Sequence, residues 1–323
     1  MKLIPRALLR GPISMVHFVT RNCNARCSHC FIDFDDPATF KGDLRLEEID
    51  RVSRSVGWQL QNVNLTGGEP FLRKDLFDVA RCYLDHTSIR SLYITTNGYF
   101  TDRTREFVER YLEAGYDRDH HLFFSLSIDD LPAAHDANRR VPRLFERAME
   151  TLRWLEQHRD RRVLVNVNLT VIPANADRIG DIYEYLVADQ GVRAFTTTIM
   201  REEGIARIDP AARTRLSDAY SDLNARIHRD MASGRIQAPQ GETKTRGNMN
   251  FQDFLLELDF LGYGVVAFNT YKQRTIQKID YFNFYLMVAN AGKQGQFWKV
   301  EGEVDNMGAL LDEFISEIQG GKK

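Results

Sequence analysis

At 323 residues, with 43 Lys and Arg against 45 Asp and Glu, the chain is long enough for one large domain or two smaller ones and carries almost no net charge. That balance excludes a charged body or tail built for nucleic acid or an acidic membrane as the main partner. The opening MKLIPRALLRGPISMV is broken by Pro5, Arg6, Arg10 and Pro12 before any apolar run reaches the length of a signal-peptide core, and no later run could span a bilayer. A cytoplasmic protein is expected.

Apolar, β-branched runs recur at about 14–20, 61–66, 90–96, 121–129, 162–172 and 192–199, and the stretches between them carry helical spacing. In 101–114, Phe107, Val108, Tyr111 and Leu112 form one stripe before Gly115 stops the helix. In 142–157, Leu144, Phe145, Ala148, Leu152 and Leu155 do the same. Six strand-plus-helix units predict a parallel sheet with helices outside it, either doubly wound or most of a β/α barrel.

Alternate positions of a strand point to opposite faces. In 121–129, Leu122, Phe124, Leu126 and Ile128 oppose His121, Ser125, Ser127 and Asp129. Val63 and Leu65 oppose Asn62, Asn64 and Thr66, and Val163, Val165, Val167 and Leu169 oppose Asn166, Asn168 and Thr170. Helices cover the apolar set. The polar set faces something wet or ligand-filled, which suits the lumen of an open barrel, although edge strands with one face in solvent would give the same pattern.

Three of the four cysteines, Cys23, Cys27 and Cys30, fall in RNCNARCSHCF just after the first strand, at the end of a β/α barrel where chemistry collects. Iron–sulfur clusters take thiolates, usually four, and three leave one iron of a cubane open. A zinc site using His29 as the fourth ligand, and a chance grouping of reduced thiols, remain alternatives on the residues alone. Cys82 lies in the helical stretch 75–86 and reads as a small buried hydrophobe.

CNARCSHC has the CxxxCxxC spacing of the radical S-adenosylmethionine (AdoMet) superfamily, and NLTGGEP at 64–70 resembles that family's GGE motif at the end of the second strand. TTNG at 95–98 ends the third strand, and SIDDLPAAHDANR at 127–139 is similar to the S-x-D…H-D-x-x-R pattern of the peptide-modifying branch. The resemblance runs from about 13 to 206, where REEGIA ends it. It implies that Cys23, Cys27 and Cys30 ligate a [4Fe-4S] cluster whose fourth iron is chelated by AdoMet. It further implies cofactor contacts from Gly67, Gly68 and Glu69, with the glycines allowing close backbone approach and Glu69 accepting from the methionine ammonium. Ser127 and Asp129 would bond the ribose or the methionine amine, Arg139 would clamp the carboxylate, and His29 would lie near adenine. On residue type alone, GGE is often only a turn, Ser127 and Asp129 could simply end a strand, and Arg139 could be a solvated loop residue. Asn97 is also a candidate for cofactor contact, and Asn97, Asn166, Asn168 and Thr170 are candidates for the substrate wall in the lumen, although buried Asn and Thr could equally satisfy one another in a structural layer.

The fold expected is therefore α/β, a partial (β/α)6 TIM-type barrel over 1–208 with an α+β C-terminal extension over 209–323. In that extension 211–232 reads as a helix, 238–250 as a polar linker, 262–300 as mixed aromatic segments and 308–319 as an amphipathic helix. No cysteine follows Cys82, so the auxiliary clusters carried there by many relatives are not expected. The resemblance implies an enzyme that cleaves AdoMet reductively to a 5′-deoxyadenosyl radical and abstracts hydrogen from a peptide or small metabolite. A low-potential donor such as flavodoxin or ferredoxin would supply the electron. A noncatalytic cluster- or AdoMet-binding partner subunit is the alternative.

Overall fold

The computed structural model describes residues 14–237, apart from 41–42, 117–119, 159, 201 and 203. The linker, aromatic segments and terminal helix expected beyond 237 lie outside the described residues. Six strands are present: β1 (Ser14–Thr20), β2 (Asn62–Gly67), β3 (Ser91–Thr96), β4 (His121–Ser127), β5 (Val163–Val171) and β6 (Phe195–Ile199). Seven α-helices accompany them among the described residues: α1 (Leu46–Val56), α2 (Leu76–His86), α3 (Thr101–Glu113), α4 (Pro132–Arg139), α5 (Leu144–Gln157), α6 (Ile179–Ala188) and α7 (Arg213–Ala232).

Every strand pairs in parallel with its sequence neighbour, in the order β1-β2-β3-β4-β5-β6. The order never reverses, and right-handed crossovers between successive strands then place all the helices on one face. A doubly wound sheet needs a reversal, so strand order separates the two architectures that the repeated units left open. The result is an open, partial β/α barrel, as expected. None of the described helices is long and apolar enough to cross a membrane.

Parity assigns the two faces as the sequence suggests. Val63, Leu65, Leu92, Ile94, Leu122, Phe124, Leu126, Val167 and Leu169 are fully buried beneath the helices. Of the α5 stripe, Phe145, Ala148, Leu152 and Leu155 are buried against them, while Leu144 is buried in a smaller cluster with Ala25 and Val141. Cys82 is buried on α2, as a small hydrophobe. Helix α7 lies in the segment read from sequence as extension. It buries Leu216, Leu223 and Ile227 in the same core and so packs as the barrel's sixth helix.

The inner face is polar but uncharged. Register aligns Asn64 with Tyr93 and Tyr93 with Phe123, whose rings stack at 4.5 Å. One level higher Thr95 lies beside Ser125 and Ser125 beside Asn166; above these come Ser127, Asn168 and Thr196, then Thr170 and Thr198. Thr95 Oγ1 donates to Asn64 Oδ1 at 3.1 Å, and Thr198 Oγ1 to Thr170 Oγ1 at 3.1 Å. Asn64, Ser127, Asn168 and Thr170 thus share the inner face.

Candidate active site

The cysteine loop begins where β1 slips against β2: Phe18 faces Thr66, but Thr20 faces Gly67. Such a slip bends the strand and turns the following chain. Residues 21–30 are then held from two sides. On the first side, the Gly68 N–H donates to Thr20 O and the Glu69 N–H to Asn22 O, both at 2.8 Å. On the second, the Arg26 and Ser28 N–H groups donate to the carbonyls of Arg139 and Asn138 at the end of α4. A third tie comes from the loop after β6, where the Ile205 N–H meets Phe31 O at 3.3 Å and a Cβ on Gly204 would lie 2.0 Å from that same oxygen.

The glycine pair has a role within the chain itself. A Cβ on Gly67 would sit 2.1 Å from Thr20 O, and one on Gly68 2.2 Å from Asn22 O. The close approach that requires glycine is therefore to the chain's own cysteine loop. Gly67 also holds φ at +130°, where side chains are strained.

Glu69 has no exposed surface. Its Oε1 accepts from the Phe71 N–H at 3.1 Å and the Thr96 hydroxyl at 2.7 Å, and its Oε2 from the Asn97 N–H at 2.8 Å. Burial pushes its carboxyl up against the pull of these donors. It joins the ends of β2 and β3, leaving only part of Oε2 for anything else. Asn97 is also committed: its Oδ1 accepts from the Tyr99 N–H at 3.0 Å and its Nδ2 donates to Asn24 Oδ1 at 2.8 Å.

On the other side stands a buried ion pair. Arg139 donates to Asp129 Oδ2 from Nε at 3.0 Å and Nη2 at 2.5 Å. Burial alone would raise the Asp129 carboxyl, but the charges of Arg139 and His29 outweigh it and hold it at about 2. Burial likewise disfavours the Arg139 cation, and Asp129 overcomes it and raises its affinity for the proton. Arg139 is thus a buried residue in the last turn of α4, not a solvated loop arginine, because Asp129 lies opposite it. His135 accepts the Asp129 N–H at Nδ1 (3.2 Å), and burial with the Arg139 charge holds it down to about 3. Asn175 braces the arrangement by donating to the carbonyls of Asp129 and Thr170. Sequence reasoning missed Asn175 and Asn24, since an isolated Asn carries no periodic signal.

His29 is turned toward this pair. Its Nδ1 takes the Asn138 amide at 3.3 Å and its Nε2 lies 3.8 Å from Asp129 Oδ2. A zinc ion would need that ring as its fourth ligand, and among the described residues no three His, Cys, Asp or Glu groups converge on a single-ion site. The thiols are half-buried; Cys23 and Cys27 pack against Ala25, Val141 and Leu144. Burial pushes the Cys23 thiol up to about 12 and raises Cys27 and Cys30 as well. Thiols of this kind ionise when a metal displaces their protons. The buried Arg139 cation lowers Cys27 and Cys30 in turn, and the Ala25 N–H donates to Cys23 Sγ at 3.3 Å. The surroundings suit an anionic iron–sulfur cluster.

The family model for the radical SAM superfamily matches residues 18–186. The chain belongs to that superfamily. As a radical SAM protein it is an enzyme that works with a [4Fe-4S] cluster and AdoMet. It is 41% identical over 118 residues to a GTP 3′,8-cyclase of Cronobacter sakazakii, covering 36% of this chain and 33% of that protein. It is 30% identical over 178 residues to a pre-heme d1 synthase of Dinoroseobacter shibae, covering 55% and 41%. The chain thus spans less than half the length of these curated relatives. The structure of anSMEcpe with bound AdoMet shares the fold at 17% identity and a TM-score of 0.54, over 77% of this chain and 66% of that one. A form of anSMEcpe with AdoMet and the Kp18Cys peptide gives 0.53 at 17% identity, over 78% and 67%.

Proposed function

We propose that this radical SAM enzyme acts on an uncharged group of a peptide. The carrying observation is that none of the six strands contains Lys, Arg, Asp or Glu. Phosphates and multiple carboxylates are recognised by Arg and Lys forks, and burying such anions without them is costly. The inner face offers instead the Tyr93–Phe123 stack, a tier of Thr95, Ser125 and Asn166, and Ser127 and Asn168 above it. That surface matches an aromatic or amide side chain carried on a backbone that stays at the rim. The peptide in the anSMEcpe complex supports this reading.

In this reading Cys23, Cys27 and Cys30 hold the cluster. Ser127 and the Asp129–Arg139 pair meet the polar end of AdoMet, with Arg139 offering charge to a carboxylate. Gly67, Gly68, Glu69 and Asn97 shape the opposite wall, and His29 sits beside the nucleoside. When bound, the cluster and AdoMet supply a radical strong enough to take hydrogen from an unreactive C–H bond. The protein positions that bond and keeps water away. A low-potential donor such as flavodoxin or ferredoxin provides the electron.

The test uses anaerobically reconstituted, dithionite-reduced protein. 5′-Deoxyadenosine formation should rise with short peptides bearing neutral or aromatic side chains, and deuterium should pass from a labelled peptide into it. GTP should neither bind at micromolar concentration nor raise turnover; if GTP does both and the peptides do nothing, the reading fails.

A further inference from the structure

Within the cysteine loop, between Cys23 and Cys27, one polar atom has no use in the protein alone. Asn24 Nδ2 is buried and has no hydrogen-bond partner. The orientation of its amide follows from its neighbours. The Tyr99 N–H must be accepted, which fixes Asn97 Oδ1 toward it; Asn97 Nδ2 then faces Asn24 and must be met by an oxygen. Asn24 Oδ1 fills that role, and its NH2 group is left facing the other way. A buried amide donor without an acceptor is unfavourable, and native proteins rarely keep one unless something else accepts.

The acceptor that belongs in this loop is a sulfur. Asn24 follows Cys23 directly and precedes Cys27 in the loop, and Cys23 Sγ already accepts the Ala25 N–H. Hydrogen bonds to cluster sulfurs favour the reduced, more negative state and so set the potential. We propose that Asn24 Nδ2 donates to a sulfur of the [4Fe-4S] cluster and raises its reduction potential, with Asn97 holding the Asn24 amide in the donating orientation. This rests on Cys23, Cys27 and Cys30 binding the cluster. It gives Asn97 a purpose other than direct cofactor contact: it is a positioning residue that acts through Asn24.

The experiment labels asparagine with 15N in the side-chain amide only and examines the reduced cluster, without AdoMet, by pulsed electron paramagnetic resonance. Wild-type protein carrying about four irons, as that cluster type requires, should show a 15N coupling. Asn24→Asp keeps the acceptor for Asn97 but has no donor, and should lose the coupling while retaining iron. Asn24→Leu should shift the midpoint potential to more negative values. If Asn24→Leu does not load iron, Asn24→Asp decides the matter. A loaded wild type without the coupling, or a coupling that survives Asn24→Asp, overturns the proposal. So does an unchanged potential in Asn24→Leu accompanied by weaker AdoMet binding, which would make the cofactor carboxylate the acceptor. A wild type that takes up no cluster overturns the cluster assignment itself, and this proposal with it.

Discussion

The rim around the cysteine loop has two halves built on opposite principles. The β2–β3 half is made of close backbone packing and one carboxylate satisfied by hydrogen-bond donors: Gly67 and Gly68 press on Thr20 and Asn22, and Glu69 spends its oxygens on Phe71, Thr96 and Asn97. The β4–β5 half is made of side-chain charge, with Asp129 and Arg139 buried together and His135 and His29 around them. Both dock the same loop. The first half has no room for an extra atom, whereas the second has no tolerance for an unbalanced charge.

The largest effect expected is on the first half. Gly68→Val drives a side chain into Asn22 O, so the cysteine loop must leave its seat, at a cost of about 4 kcal/mol or more. Iron uptake and the melting temperature should fall together. Next is Asp129→Asn, which leaves the Arg139 guanidinium buried without its counter-ion and should cost about 3 kcal/mol. The same variant tests the charge directly. With its folded value near 2 against an ordinary Asp value of about 3.9, Asp129 contributes stability that is fully present above about pH 4 and is lost as pH falls from there through about 2. Urea melts of the apo chain from pH 5 downward should lose this component in Asp129→Asn.

Glu69→Gln sharpens the contrast. It keeps the shape and one acceptor oxygen but turns an NH2 toward buried donors, for about 2 kcal/mol. Glu69→Ala should take cluster loading down along with AdoMet binding, because three donors lose their acceptor. If Glu69→Ala keeps a full cluster and wild-type stability, the β2–β3 half is not what holds the loop. The smallest effect is expected from Asn138→Ala, about 1 kcal/mol from the lost contacts to Ser28 and His29. Thermal melts of the loaded protein would read it.

The strands were legible because burial on one face leaves a period of two, and β1 to β5 begin and end within about two residues of the runs seen in the sequence. β6 was legible too, although its run was drawn about three residues early. The helix Pro132–Arg139 was not legible: it is eight residues long and its buried positions are His135 and Arg139, so no apolar stripe announces it. The cysteines and the GGE stretch could be located, yet the sequence does not say what a missing Cβ faces. That is a tertiary fact, and it assigns Gly68 to Asn22 O. Arg139 was ambiguous for the same reason, since its partner Asp129 lies ten positions away across a turn.

The contact of Gly204 with Phe31 ties the last strand's loop to the residue after Cys30. In kinetic terms it is among the most non-local contacts in the barrel, and such contacts form only after long stretches of chain have been ordered. The ties of the cysteine loop to Gly68, Glu69 and the end of α4 close over shorter stretches of chain, so the loop is seated in steps, and the Gly204 contact is the one that closes last.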